Sequence, residues 1–174
     1  ARLTLNEPGQ YSIEFDGDER HPLLLFADPL DVYPPRPPLP SAAPALTAAG
    51  KMAGPGLVYF GPGIHTIGQQ LELVSNTVVY IAGGAWVKGS FKSAPGQANI
   101  TIRGRGVLSG EDLVHPAKAD DAYAMAMLCG TDITIEGIVA ANAVSYVFEI
   151  NAFWDTGCGG WPQGRGRGAV VTNV

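Results

Sequence analysis

"ITIRGRGVLSG", residues 100–110, alternates apolar and polar side chains, bends through Gly104 and Gly106, and resumes an apolar pair at Val107 and Leu108. The same pattern stands earlier in "VVYIAGGAWVKG" at 78–89 and later in "DITIEGIVAAN" at 132–142. "VYFGPGIHTIG" at 58–68 opens the series, and "SYVFEIN" at 145–151 has the form of a further start. Aligning Gly89 with Gly110 superposes Ile81 on Ile102 and Val87 on Leu108, a shift of 21 positions. Short alternating strands repeated at such a period, each followed by a glycine corner, are what a parallel β-solenoid requires, because each turn of chain stacks its inward side chains on those of the turn below. Ile100 and Ile102 are expected to stack on Val79 and Ile81, with Ile133 and Ile135 on the other side. Thr101, Arg103, Thr134 and Glu136 then face outward. An antiparallel sandwich also spaces its strands 8–12 residues apart. Likeness between successive copies is inherent in a solenoid and accidental in a sandwich, so the solenoid is preferred.

Outward from this repeat the chain changes character. Residues 1–28 read as a small antiparallel segment: "RLTL", "YSIEF", a turn at Asp16–Asp18 and the apolar run "PLLLF" predict a hairpin and a third strand. Residues 29–56 form a connector, with seven prolines between Asp28 and Pro44 that remove backbone donors and favour extended chain. Residues 57–174 hold the repeat, interrupted by an insertion at 111–128 and ending in an atypical cap. "RGRG" at 165–168 reads as part of a flexible tail.

The composition excludes several functions. Net charge is −5, so the chain lacks the basic face that nucleic acid requires. No run approaches the roughly 18 apolar residues of a membrane span, and the first ten residues have no basic start before an apolar stretch. A signal peptide is therefore expected to be absent or already removed, the chain soluble and the membrane no partner. His21, His65 and His115 show no metal-ligand spacing, and neither metal nor cofactor is expected. His65 reads as a structural or surface residue. Cys129 and Cys158 could form one disulfide if the fold joins them, but a lone buried thiol is the commoner role for a cysteine in an apolar strand and is the reading preferred.

The repeat resembles the opening coils of the right-handed β-helix of polysaccharide hydrolases. "VYFGPGIHTIG", "VYIAGGAWVKGSF" and "GRGVLSGED" are similar to the dextranase and isopullulanase family, glycoside hydrolase family 49; "ITIRGRGVLSG" and "ITIEGI" resemble polygalacturonases more weakly. The resemblance covers about residues 57–150. It implies an all-β chain, a short right-handed parallel β-helix preceded by a small antiparallel β segment. It also implies secretion and a polysaccharide partner, a glucan or plant cell-wall polymer whose glycosidic bonds are hydrolysed. Family catalytic aspartates lie on later coils, whereas the one Asp-Asp pair here is Asp120–Asp121, in the insertion, so no catalytic residue transfers by position. A non-catalytic carbohydrate-binding solenoid, or one functional only as a homo-oligomer through the open end of its coils, is the alternative.

Glycoside hydrolysis uses two carboxyl groups, about 5 Å apart for retention and about 6.5–9.5 Å for inversion. Glu111 and Asp112 are sequence neighbours, point opposite ways on extended chain, and read as the end of a coil. The insertion that follows, "DLVHPAKADDAYAMAM" at 112–127, is where a solenoid would hang a binding loop. Candidate acids and bases are Asp112, Asp120, Asp121 and Asp155. Candidate sugar-binding groups are His115, Lys118, Tyr123, Trp154 and Trp161, the tryptophans being flat apolar platforms for pyranose faces. A solvated helix in the insertion and a hydrophobic cap built on the tryptophans are the structural alternatives.

Overall fold

A computed structural model of the chain describes residues 2–31, 34–35, 55–114, 124–151, 168–172 and 174. Every regular element among them is a strand. The chain divides into two compact units, Ala1–Tyr33 and Pro34–Val174.

The first unit is a hairpin of β1 (Gly9–Phe15) and β2 (Asp18–Ala27). Asp16 and Gly17, with φ of 54° and 76°, form the two-residue connection, and positive φ at both positions matches the twist of the strands they join. The Asp18 carboxylate accepts the Arg20 N–H and bonds the His21 ring, both at 2.9 Å, and these contacts hold it below the ordinary carboxylate range. The expected third strand is absent. The tight turn sets Ile13 opposite Leu23 and Tyr11 opposite Leu25, so "PLLLF" is itself the partner of "YSIEF", and "RLTL" is not a strand.

In the second unit all pairing among the described residues is parallel, in three ladders. Ladder 1 joins β3 (Gly56–Phe60), β5 (Thr77–Ile81), the ends of β6 (Ala85–Gly104) and β8 (Ala124–Glu136), and β11 (Val170–Thr172). Ladder 2 joins the start of β4 (Gly63–Leu73), the start of β6, β7 (Val107–Ser109) and β9 (Val139–Ala141). Ladder 3 joins the end of β4, the middle of β6, the start of β8 and β10 (Tyr146–Asn151). The chain visits them in the order 1, 2, 3, again and again. Long strands such as β6 therefore belong to more than one ladder.

Alternation decides the burial. Val79, Ile102 and Ile135 are consecutive partners on ladder 1, and Val87 faces Leu108 on ladder 2; all five are fully buried. Thr101, Arg103, Thr134 and Glu136 are half-buried on the other side, as their alternation predicts. There Tyr59 and Tyr80 stack at 5.5 Å and the Arg103 guanidinium lies 5.5 Å from the Tyr80 ring centre, covering Tyr80 to 4% exposure.

One register differs from the sequence alignment. Val87 meets Leu108 at the shift of 21, but Ile102 meets Val79, and Ile81 meets Gly104, a shift of 23. The corner between ladders 1 and 2 is two residues shorter in the later turn, because Arg105 and Gly106 both donate to the Ile81 carbonyl, at 2.9 and 3.0 Å, and draw the bend against the preceding strand. Gly104 makes this approach: its φ is 144°, and a Cβ there would lie 1.9 Å from the Ile81 oxygen.

The corner entering ladder 1 repeats differently. Asn76, Asn99, Asp132 and Gly168 occupy equivalent positions before its strands, all left-handed, with φ of 62°, 56°, 54° and 76°. Asn and Asp tolerate this region better than other side-chain-bearing residues. Asn99 Nδ2 donates to Asn76 Oδ1 at 2.9 Å, linking successive corners.

Three further expectations are corrected. The insertion ends before Ala124, since Ala124, Met125, Ala126 and Leu128 are buried strand residues. Of "RGRG", residues 165–167 lie outside the described residues, and the chain beyond Gly168 is no loose tail, because Val170–Thr172 returns to ladder 1 beside Thr134–Glu136. Cys129 is disulfide-bonded rather than a lone thiol, and the only other cysteine, Cys158, lies outside the described residues. Its backbone is held as well: Ser93 Oγ accepts the Cys129 N–H at 2.9 Å and donates to the Cys129 carbonyl at 3.2 Å.

Candidate active site

The outward face of ladder 2 carries the polar cluster that the insertion grows from. In "AWVKG", residues 85–89, Val87 points into the core, so Trp86 and Lys88 point out. Trp86 lies in a row with Ile64, Val107 and Val139, and Lys88 lies in the next row with Thr66, Ser109 and Ala141. Ile64 is 74% exposed, leaving that end of the apolar row open.

Glu111 turns back onto this face. Its carboxylate forms an ion pair with Lys88 and accepts Ser109 Oγ at 3.3 Å. Ser109 Oγ also accepts the Glu111 N–H at 3.4 Å and Asn142 Nδ2 at 3.1 Å. The buried serine hydroxyl is thus engaged on all sides and ties its own passage of chain to the next at Asn142, while the Glu111–Lys88 ion pair reaches back to the preceding one. Lys88 holds Glu111 below the ordinary carboxylate range, mainly through this hydrogen bond and with smaller help from Ser109 and Trp86. Glu111 in turn raises Lys88, and the charge of Asp112 adds to the effect. A carboxylate held ionised by a cation is unsuited to be a general acid, which needs a raised pKa. Glu111 instead anchors the point where the insertion leaves ladder 2.

Of the candidates read from the sequence, Asp112 is described: it is exposed in the turn beside Glu111. Asp120, Asp121 and Asp155 lie outside the described residues, as do His115, Lys118, Tyr123, Trp154 and Trp161. His65, read as structural or surface, bonds the Gly61 carbonyl through Nε2 at 2.7 Å and packs edge-on against Phe60. No group of three metal-ligating side chains occurs among the described residues. Sequence reasoning missed Trp86, Lys88 and Asn142. The signal for Lys88 was present, since the shift of 21 that pairs Val87 with Leu108 also sets Lys88 beside Ser109, two residues before Glu111.

No protein-family profile matches the chain, and no solved structure matches it. Curated proteins do. An isopullulanase of Aspergillus niger is 32% identical over 133 residues, which cover 66% of this chain and 24% of that protein. A dextranase of Arthrobacter globiformis is 38% identical over 71 residues, 38% of this chain and 11% of its own length. A dextranase of Talaromyces minioluteus is 36% identical over 87 residues, 42% of this chain and 14% of its own length. The chain therefore spans about a quarter or less of these relatives. Over the stretches that they share, it is the dextranase and isopullulanase family that this chain resembles.

Proposed function

We propose that the chain is a polysaccharide-acting protein of the β-helix glycoside hydrolase class, cleaving glycosidic bonds in a glucan or plant cell-wall polymer. The observation that carries this reading is the identity of 32–38% to proteins named isopullulanase and dextranase. The fold proposed with it is a short right-handed parallel β-helix. Three parallel ladders visited in constant order support it, and crossovers between parallel strands are right-handed in nearly all proteins.

In this reading the polymer lies along the outward face of ladder 2, with Trp86 and its apolar row against sugar faces and the insertion alongside. A general acid and a base or nucleophile come from Asp112, Asp120, Asp121 and Asp155, while His115, Lys118, Tyr123, Trp154 and Trp161 hold the sugar. The protein works outside the cell, a placement that the disulfide of Cys129 supports, since such bonds persist in oxidising compartments. The edge of β11, where Val170 and Val171 are about half exposed, is a surface for self-association.

A second reading, a carbohydrate-binding solenoid without catalysis, is favoured by the carboxylates described beside ladder 2: hydrolysis uses two, and with Glu111 committed to Lys88 the described site leaves Asp112. Reducing-sugar release from dextran, pullulan, polygalacturonate, xylan and cellulose separates the two. Release that is abolished in one or more of the Asp112→Asn, Asp120→Asn, Asp121→Asn and Asp155→Asn variants supports the hydrolase. Saturable binding without release supports the alternative, and release unchanged in all four variants removes the catalytic assignment.

A further inference from the structure

The chain has six asparagines, and one of them, Asn99 in Asn99-Ile100-Thr101, stands in the Asn-x-Ser/Thr pattern that oligosaccharyl transfer requires. The structure puts this tripeptide where a glycan can be carried. Asn99 is exposed at the corner before ladder 1, in the left-handed conformation. Ile100 is fully buried and anchors the strand, while Thr101 alternates to the outer side. The Asn99 side chain is committed at one point, the bond from Nδ2 to Asn76 Oδ1. An amide nitrogen has two hydrogens, so replacing one with a sugar leaves the other for this bond. The corner can therefore keep its contact with its neighbour and bear a glycan as well. Asn76, which has the same conformation one turn earlier, is followed by Thr77-Val78 and lacks the pattern. The disulfide of Cys129 is independent support, because it belongs to the oxidising compartments in which such transfer takes place.

We infer that Asn99 is an N-glycosylation site, modified when the chain passes through a eukaryotic secretory pathway. The donor is a polyisoprenyl pyrophosphate-linked oligosaccharide, and a membrane oligosaccharyltransferase supplies the catalysis. A bond forms between Asn99 Nδ2 and the sugar anomeric carbon. The bond from that carbon to the pyrophosphate oxygen breaks, the pyrophosphate leaves with the electron pair, and the displaced amide proton passes to a base of the transferase. Transfer to the unfolded chain precedes packing, so the corner closes with the glycan already in place. This site stands apart from the glucan-acting reading and holds whether or not the chain cleaves polysaccharide.

The test is secretion of the whole chain from a yeast or insect host, followed by intact mass measurement before and after peptide N-glycosidase treatment in heavy-oxygen water. The expected result is a glycan-sized mass loss, with one heavy oxygen incorporated at position 99. Thr101→Ala should abolish the modification and Thr101→Ser should retain it, and both changes lie on a half-buried outward position that leaves the core intact. Secreted wild-type chain with an intact disulfide and a β-sheet circular dichroism spectrum, yet with unmodified Asn99, would overturn the inference. So would a glycan that persists in Thr101→Ala.

Discussion

Thr77 occupies a core position that ought to be apolar. It sits on ladder 1 between Gly56 and Ile100, with Ile133 the next residue in the row, and it is fully buried. Its Oγ1 finds no hydrogen-bond partner among the described residues. A buried hydroxyl without a partner costs about 1–3 kcal/mol, and Thr77→Val removes it while keeping the branched shape. The added methyl contributes up to about 0.8 kcal/mol of burial, and valine suits a strand. The variant should therefore be more stable by about 1–3 kcal/mol, which at this chain length raises Tm by about 2–4 °C for each kcal/mol. Thr77→Ser, which keeps the hydroxyl and loses the methyl, should fall below wild type by about 1 kcal/mol. Urea and thermal unfolding followed by far-ultraviolet circular dichroism measure both. Since most core substitutions destabilise, a rise is a demanding outcome. A Thr77→Val protein at or below wild type would refute the reasoning, showing that the hydroxyl is satisfied or that the row does not accept a second hydrocarbon branch.

Other consequences can be checked with the same assays. Gly104→Ala forces a Cβ against the Ile81 carbonyl at a φ that side chains rarely adopt, so it should cost about 3 kcal/mol or more and show as loss of soluble folded chain. Ile102→Ala should cost about 2–5 kcal/mol, whereas Thr101→Ala one residue away should stay within about 0.5 kcal/mol, and equal losses at the two sites would contradict the alternation. The Lys88–Glu111 pair sets a pH window. Glu111 is lowered, so its contribution is complete above the ordinary value of 4.5 and disappears as pH falls through the lowered pKa; Lys88 is raised, so its contribution is complete below 10.5 and disappears as pH rises beyond it. Glu111→Gln should flatten the acid limb of a Tm-against-pH curve, and an unchanged limb would show that the pair does not contribute. Reducing the Cys129 disulfide should lower stability by about 2–4 kcal/mol in urea titrations with and without reductant.

Much of the ladder system was legible because its side chains repeat. "ITIRG" and "ITIEG" place Ile100 on Ile133 and Ile102 on Ile135 as written, and the positive-φ turn at Asp16–Gly17 follows from its residues. The two-residue slip at Ile81 was not legible. It arises where Gly104 approaches a carbonyl of the previous turn, and backbone contact of that kind leaves no hydrophobic pattern. "AMAM" at 124–127 misled because alanine and methionine suit an exposed helix as well as a packed strand; only the parallel pairing of Ala126 with Phe91 marks it as core. At the site, reading Glu111 as a coil end was sound, but its partner Lys88 lies 23 residues earlier, and the shift of 21 that sets Lys88 beside Ser109 was read for the inward side chains and not for the outward ones.

The central claim, that a glucan is held on the outward face of ladder 2, is tested most directly by affinity electrophoresis of the chain through gels containing dextran or pullulan, with Trp86→Ala as the comparison. The account predicts retardation of the wild-type chain by at least one of the two polymers and binding weaker by about tenfold in the variant, a loss of about 1.4 kcal/mol. Equal retardation of both proteins, or none of either, would contradict it.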